Sequence, residues 1–316
     1  PRTNNRSLNV YLYQRERVRP DVLFLGSSKT LRGIVPSIVE DELRAALGRP
    51  ASVFNLAQLG TSAFGNSLVF RDVVASNGSP GVVVLELSPA ALNAKHGNIP
   101  DALRYYCSSS DLVRSMPWIS SPRRATSAAA GAFRGISNLT LYGHHRLFPH
   151  GMEIGLEGLL RRRGREFADP AGPDSRLSDV PRESKRKMLR RVRSRLRKRL
   201  VGAYRIGGPP EAGFREIRRL ALDNGIPLVV FNPPVTAQYR RALSSEAARR
   251  EFPAYITRAA AADGFTYLDL DRAPLQLSKD DFIDFGHVND YGATKLSRHM
   301  AREVLAPLLR DLDPVP

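Results

Sequence analysis

Five short, continuous apolar runs constrain this chain most: residues 21–25 (DVLFL), 52–56 (SVFNL), 82–87 (VVVLEL), 226–231 (IPLVVF) and 265–270 (FTYLDL). A strand wetted on one side alternates polar with apolar residues. These runs do not alternate, so each is expected to be covered on both faces, as in a parallel sheet. Helix-length patterns lie between them at 36–47, 62–76, 210–224 and 245–262, with a last at 290–310. Pro36 opens the first and Gly48 follows its end, while Asn224-Gly225 closes the third. Strand alternating with helix predicts an α/β fold, doubly wound around a five-stranded parallel sheet.

One gap breaks the rhythm. About 110 residues separate the third strand from the helix near Pro210, too many for a structureless loop in a compact domain. The expected organisation is an α/β domain built from residues 1–94 and 206–316, interrupted by a mainly helical, basic insertion at 95–205. Residues 119–131 and 168–181, rich in Ser, Ala, Pro and Gly, read as linkers within it.

The same insertion holds most of the charge. Residues 161–200 carry 16 basic and 5 acidic side chains, a net +11 out of +17 for all 316 residues. Within 182–204, Met188, Val192, Leu196 and Leu200 recur four residues apart, and Arg and Lys fill the other face, the pattern of an amphipathic basic helix. Its apolar stripe is expected to pack on the domain. Its basic face, with Arg190, Arg193 and Arg197, is expected to meet an anionic membrane or glycan. Nucleic acid is disfavoured as a partner, because no zinc-binding, helix-turn-helix or aromatic-platform pattern accompanies the charge. Cys107, the single cysteine, excludes an intramolecular disulfide and a cysteine-based zinc cluster.

Three loops carry candidate chemistry. After the first strand, Gly26-Ser27-Ser28-Lys29-Thr30 presents serine hydroxyls at a strand's carboxyl end, where open α/β sheets bind ligands. After the fifth strand, Asp284 lies three residues before His287 in a loop, a spacing that lets a carboxylate hold Nδ1–H and leave Nε2 free as a general base. A plain turn and a loop histidine would read the same way. After the second strand, Leu59-Gly60-Thr61-Ser62 offers Gly60, whose N–H can approach a substrate oxygen closely. The strand order brings all three to one edge of the sheet.

These segments resemble the SGNH (GDSL-type) hydrolases. The resemblance matches Gly26-Ser27-Ser28 to the first block, Gly60 to the second-block glycine, and Asp284-Phe285-Gly286-His287 to the closing Asp-x-x-His. It implies the three-layer, flavodoxin-like SGNH hydrolase fold with a long helical insertion after the third strand, a catalytic set of Ser28, Asp284 and His287, and an oxyanion site formed by the N–H groups of Ser28 and Gly60. The ending Asp284 to Gly292 is similar to the membrane-anchored, envelope-facing branch that moves or removes acyl groups on surface polymers. The sequence departs from the family twice. Ser27 stands where the family has Asp, which leaves Ser27 as an alternative nucleophile. The third-block Asn is missing after Glu86-Leu87-Ser88-Pro89, leaving Ser88 or Asn93, and further off Asn232, to supply the third donor.

The expected function is therefore a serine esterase or O-acyltransferase acting through an acyl-enzyme on acyl, foremost acetyl, esters of a carbohydrate or cell-envelope polymer. Its partners would be an acyl ester donor and a polysaccharide acceptor. The alternative is a catalytically weak module of the same fold that binds an anionic glycan or lipid surface. No cofactor or metal is expected: His144, His145 and His150 cluster without a completing carboxylate, His96 lies near the cleft, and His299 is structural. No run reaches the ~18 apolar residues of a membrane span. The expected location is the cell envelope or outside the cell, with any signal or anchor lying upstream of Pro1.

Overall fold

A computed structural model describes residues 19–94, 176–200, 204–243, 245–271 and 275–312. The chain divides into two compact units, Pro1–Gly97 with Asp174–Pro316, and Asn98–Pro173. The second unit lies outside the described residues, as do Cys107, His96, His144, His145, His150 and the linker at 119–131.

The five apolar runs form one all-parallel sheet of order β2-β1-β3-β4-β5, with β1 at Val22–Leu25, β2 at Val53–Asn55, β3 at Val82–Glu86, β4 at Leu228–Asn232 and β5 at Thr266–Asp269. The expected α/β class and strand number hold. Side chains alternate across the sheet, and both sets are buried. Val22, Phe24, Val82, Val84, Val229 and Phe231 join one core with Val39, Leu43, Leu296, Met300 and Leu305. Leu23, Leu25, Val83, Leu85 and Val230, their alternate neighbours, are also buried. That is why the runs show no polar alternation.

Local chemistry sets the helices. Helix α1 (Ser28–Gly33) follows β1 at once, and α2 (Pro36–Leu47) starts on Pro36 and stops at Gly48 with φ +69°. Helix α3 (Ala63–Asn77) leads into β3, and the short α4 (Pro89–Leu92) leaves it. The basic stretch is helical over Arg182–Leu200 (α5), while Tyr204 at its expected end lies outside the helix. Helix α6 (Gly208–Asp223) precedes β4, then α7 (Ala237–Leu243) and α8 (Glu246–Asp263) precede β5. Ser245 caps α8 by accepting from Ala248 N–H at 3.0 Å. The closing stretch is α9 (Asp290–His299), a π-helical segment (Met300–Leu305) and α10 (Ala306–Arg310).

Two packing features position the site. Gly213 of α6 lies so close to α3 that a Cβ there would sit 2.6 Å from Phe64 N. Met188 and Leu189 of α5 pack against a small core of Leu177, Phe282, Phe285, Val288 and Ala293, so the basic helix rests on the loop that carries His287. Among the described residues, no helix is long and apolar enough to cross a membrane.

Candidate active site

Parallel strands put every following loop at the same sheet edge, so the β1, β2 and β3 exits and the loop before α9 can converge. Ser27 is the N-cap of α1 and Ser28 its first residue. The turn can be this tight because Gly26 lacks a side chain: a Cβ there would fall 2.7 Å from Thr30 Cβ and 2.8 Å from Glu86 Cβ. Beside it runs the β2 exit. Leu56 N–H donates to Phe24 carbonyl and Gln58 N–H to Gly26 carbonyl, both at 2.9 Å, which extends the β1–β2 pairing past the strands. The Asn55 amide donates to the carbonyls of Thr30 (3.1 Å) and Ile34 (3.0 Å), tying off the far end of α1. Gly60 follows, exposed and at φ +67°, a left-handed conformation that favours glycine.

The histidine loop is closed from several directions. Phe282 and Val288 form an antiparallel bridge, and Ile283 N–H donates to His287 carbonyl at 3.1 Å. Before it, Ser278 and Asp281 form a capping box, and the Asp281 carboxylate also pairs with Lys295 at 2.8 Å. After it, the Asn289 side chain caps α9 by accepting from Gly292 N–H at 3.0 Å. The Phe285 carbonyl accepts from Thr236 N–H (3.1 Å) and hydroxyl (2.8 Å), which ties the loop to the β4 exit.

Across this frame the side chains meet. His287 Nε2 lies 2.8 Å from Ser28 Oγ, and Nδ1 lies 3.0 and 2.9 Å from the two oxygens of Asp284. Asp284 Oδ1 also accepts from the N–H groups of Gly286 (2.7 Å) and His287 (2.8 Å). Burial pushes the Asp284 pKa upward. The His287 hydrogen bond and charge, with those two N–H groups, outweigh it and hold the carboxyl below its ordinary value. An ionised Asp284 fixes the tautomer with hydrogen on Nδ1, and Nε2 is then the acceptor facing Ser28.

The other candidates sit elsewhere. The Ser27 hydroxyl points to Glu86 Oε1 at 2.7 Å, so His287 meets Ser28 and not the serine before it. Ser88 is buried at the start of α4 and lines a cavity of about 90 Å³ with Lys29, Asn232 and Phe252. Asn93 is fully enclosed, its backbone bridging Ile206, and the Asn232 amide donates to Asp269 at 2.8 Å. Arg190 is exposed on α5, and Arg193 and Arg197 fall on the same helix. His299 ends α9. Among the described residues, no three His, Cys, Asp or Glu side chains gather as a metal site.

Glu86, Asn55 and Thr236 escaped the sequence reading. Each acts on backbone far away in sequence, and no local pattern encodes such a partner.

No protein-family model and no curated protein matches the sequence. Solved structures do match. One is a GDSL-like lipase from Bacteroides thetaiotaomicron, 12% identical with a TM-score of 0.41, covering 96% of this chain and 100% of that one. Another is a lipase/acylhydrolase from Enterococcus faecalis, also 12% identical, with a TM-score of 0.39 and coverage of 93% and 98%. This chain resembles both structures only loosely. What it does is read from its own site.

Proposed function

We propose that this protein is a serine ester hydrolase of the SGNH type. The observation that carries the reading is the unbroken hydrogen-bonded chain Ser28–His287–Asp284 at the carboxyl edge of the sheet. In the first step Ser28 Oγ attacks an ester carbonyl while His287 Nε2 takes its proton, and the N–H groups of Ser28 and Gly60 receive the oxyanion. Collapse of the tetrahedral intermediate expels the alcohol, which takes the proton back from His287 and leaves an acyl-Ser28. Water, deprotonated by the same imidazole, then releases the acid. Asp284 holds the ring and offsets the positive charge that His287 gains in both steps.

The test is covalent labelling with a fluorophosphonate. Wild-type protein is expected to label at Ser28, and Ser28→Ala to lose both labelling and acetyl-ester turnover, the latter by at least about 10⁴-fold. Equal labelling of the two proteins would overturn the reading. Wild-type turnover of a small acetyl ester that is lost on His287→Ala would argue against the binding-module alternative, in which the fold is kept without efficient chemistry, and wild-type turnover no faster than the uncatalysed reaction would favour it.

The finer reading is acyl transfer or removal on a carbohydrate or cell-envelope polymer, at the envelope or outside the cell. The likeness of the Asp284–Gly292 ending to envelope-facing esterases supports it, as does the exposed basic face of α5, suited to an anionic membrane or glycan. A screen comparing water with sugar hydroxyls as acceptors separates hydrolysis from transfer.

A further inference from the structure

We infer that Glu86 is a positioning residue for the Ser28 turn, engaging the neighbouring donors so that Ser28 alone keeps its hydroxyl and its N–H open to substrate. The inference rests on the serine-hydrolase reading above. Glu86 ends β3 and is 5% exposed. Its Oε1 accepts from the Ser27 hydroxyl at 2.7 Å. Its Oε2 accepts from Ser27 N–H at 2.8 Å, Thr30 N–H at 3.1 Å and the Thr30 hydroxyl at 2.7 Å. Four donors on one buried carboxylate are a strong set, because bonds to an ionised acceptor are shorter and stronger than neutral ones and offset its desolvation.

The consequence shows in where each donor of the turn goes. Ser27 and Thr30 N–H are taken by Glu86, Lys29 N–H by Ser27 Oγ (3.3 Å) and Leu31 N–H by Ser27 carbonyl (3.0 Å). Among the described residues no acceptor meets the N–H of Ser28, which is the donor the oxyanion requires. The Ser27 hydroxyl is tied to Glu86 and does not compete for His287 Nε2, although it is the neighbour of the nucleophile. Glu86 thus resolves which of two adjacent serines reacts. Gly26 completes the arrangement, since any side chain there would strike Thr30 and Glu86.

The experiment compares Glu86→Ala, Glu86→Gln and Ser27→Ala with wild type by the rate of fluorophosphonate labelling, by kcat and KM for p-nitrophenyl acetate, and by melting temperature. Glu86→Ala is expected to slow labelling and lower kcat by about 10²-fold while KM changes little, because a nucleophile displaced by about 1 Å loses rate on that scale. Glu86→Gln keeps one acceptor oxygen and is expected to recover part of the loss. Ser27→Ala removes one of the four donors to Glu86 and the acceptor of Lys29 N–H, and is expected to lower kcat roughly tenfold. Should Glu86→Ala fail to fold, the other two variants decide. Wild-type labelling and kcat in the folded variants, or a change confined to KM or melting temperature, would overturn the assignment. A wild-type protein that does not label, or a Ser28→Ala variant that still does, would overturn the hydrolase reading itself.

Discussion

At residue scale the sharpest lever is Asp284, whose carboxylate accepts from three N–H groups. Replacing it with Asn changes little in size but reverses one donor–acceptor relation with Nδ1, which favours the wrong imidazole tautomer. The expected cost is on the order of 10⁴-fold in kcat, read from steady-state ester hydrolysis. Stability should respond as well. A carboxyl whose folded pKa is lowered contributes stability that is fully present above its unfolded value, about 3.9, and lost as pH falls through the folded value. Urea midpoints measured from pH 6 down to pH 2 should therefore fall less steeply in Asp284→Asn than in wild type. Ser28, Asp284 and His287 were legible in the sequence because each sits in a short pattern of its own. Glu86 was not, because it lies 59 residues from the Ser27 whose N–H it accepts, in a run whose apolar character is all that local sequence displays.

At the scale of elements, the strands and long helices could be read because burial on both faces, Pro36 at a start and Gly48 at a stop are written locally. Helix α1 could not. Gly, Ser and Thr have weak helix propensity, and the first turn is held by the Glu86 carboxylate, which comes from another strand. The same dependence on distant partners governs α3, whose first residues follow Gly60 closely. Gly213 lets α6 press against Phe64 there, and Gly213→Ala would place a methyl 2.6 Å from backbone nitrogen. The expected result is a loss of about 1–3 kcal/mol in chemical denaturation, since backbone cannot yield as a flexible side chain does. Because the displaced segment begins just after Gly60, kcat of the folded variant should fall too.

For the whole molecule, the charge and the chemistry occupy different elements that touch. Helix α5 presents Arg186, Arg190 and Arg191 to solvent, while Met188 and Leu189 on its other side pack beneath the histidine loop. Changing those three arginines to Gln should leave hydrolysis of a small neutral ester unchanged. It should weaken retention on anionic vesicles or polymers, an effect that vanishes at high salt in wild type as well. The separation in sequence has a different consequence. Ser28 and His287 stand 259 positions apart. A chain still emerging from the ribosome holds Ser28 before His287 exists, and on the proposed reading it is chemically silent toward esters until the histidine loop has been made.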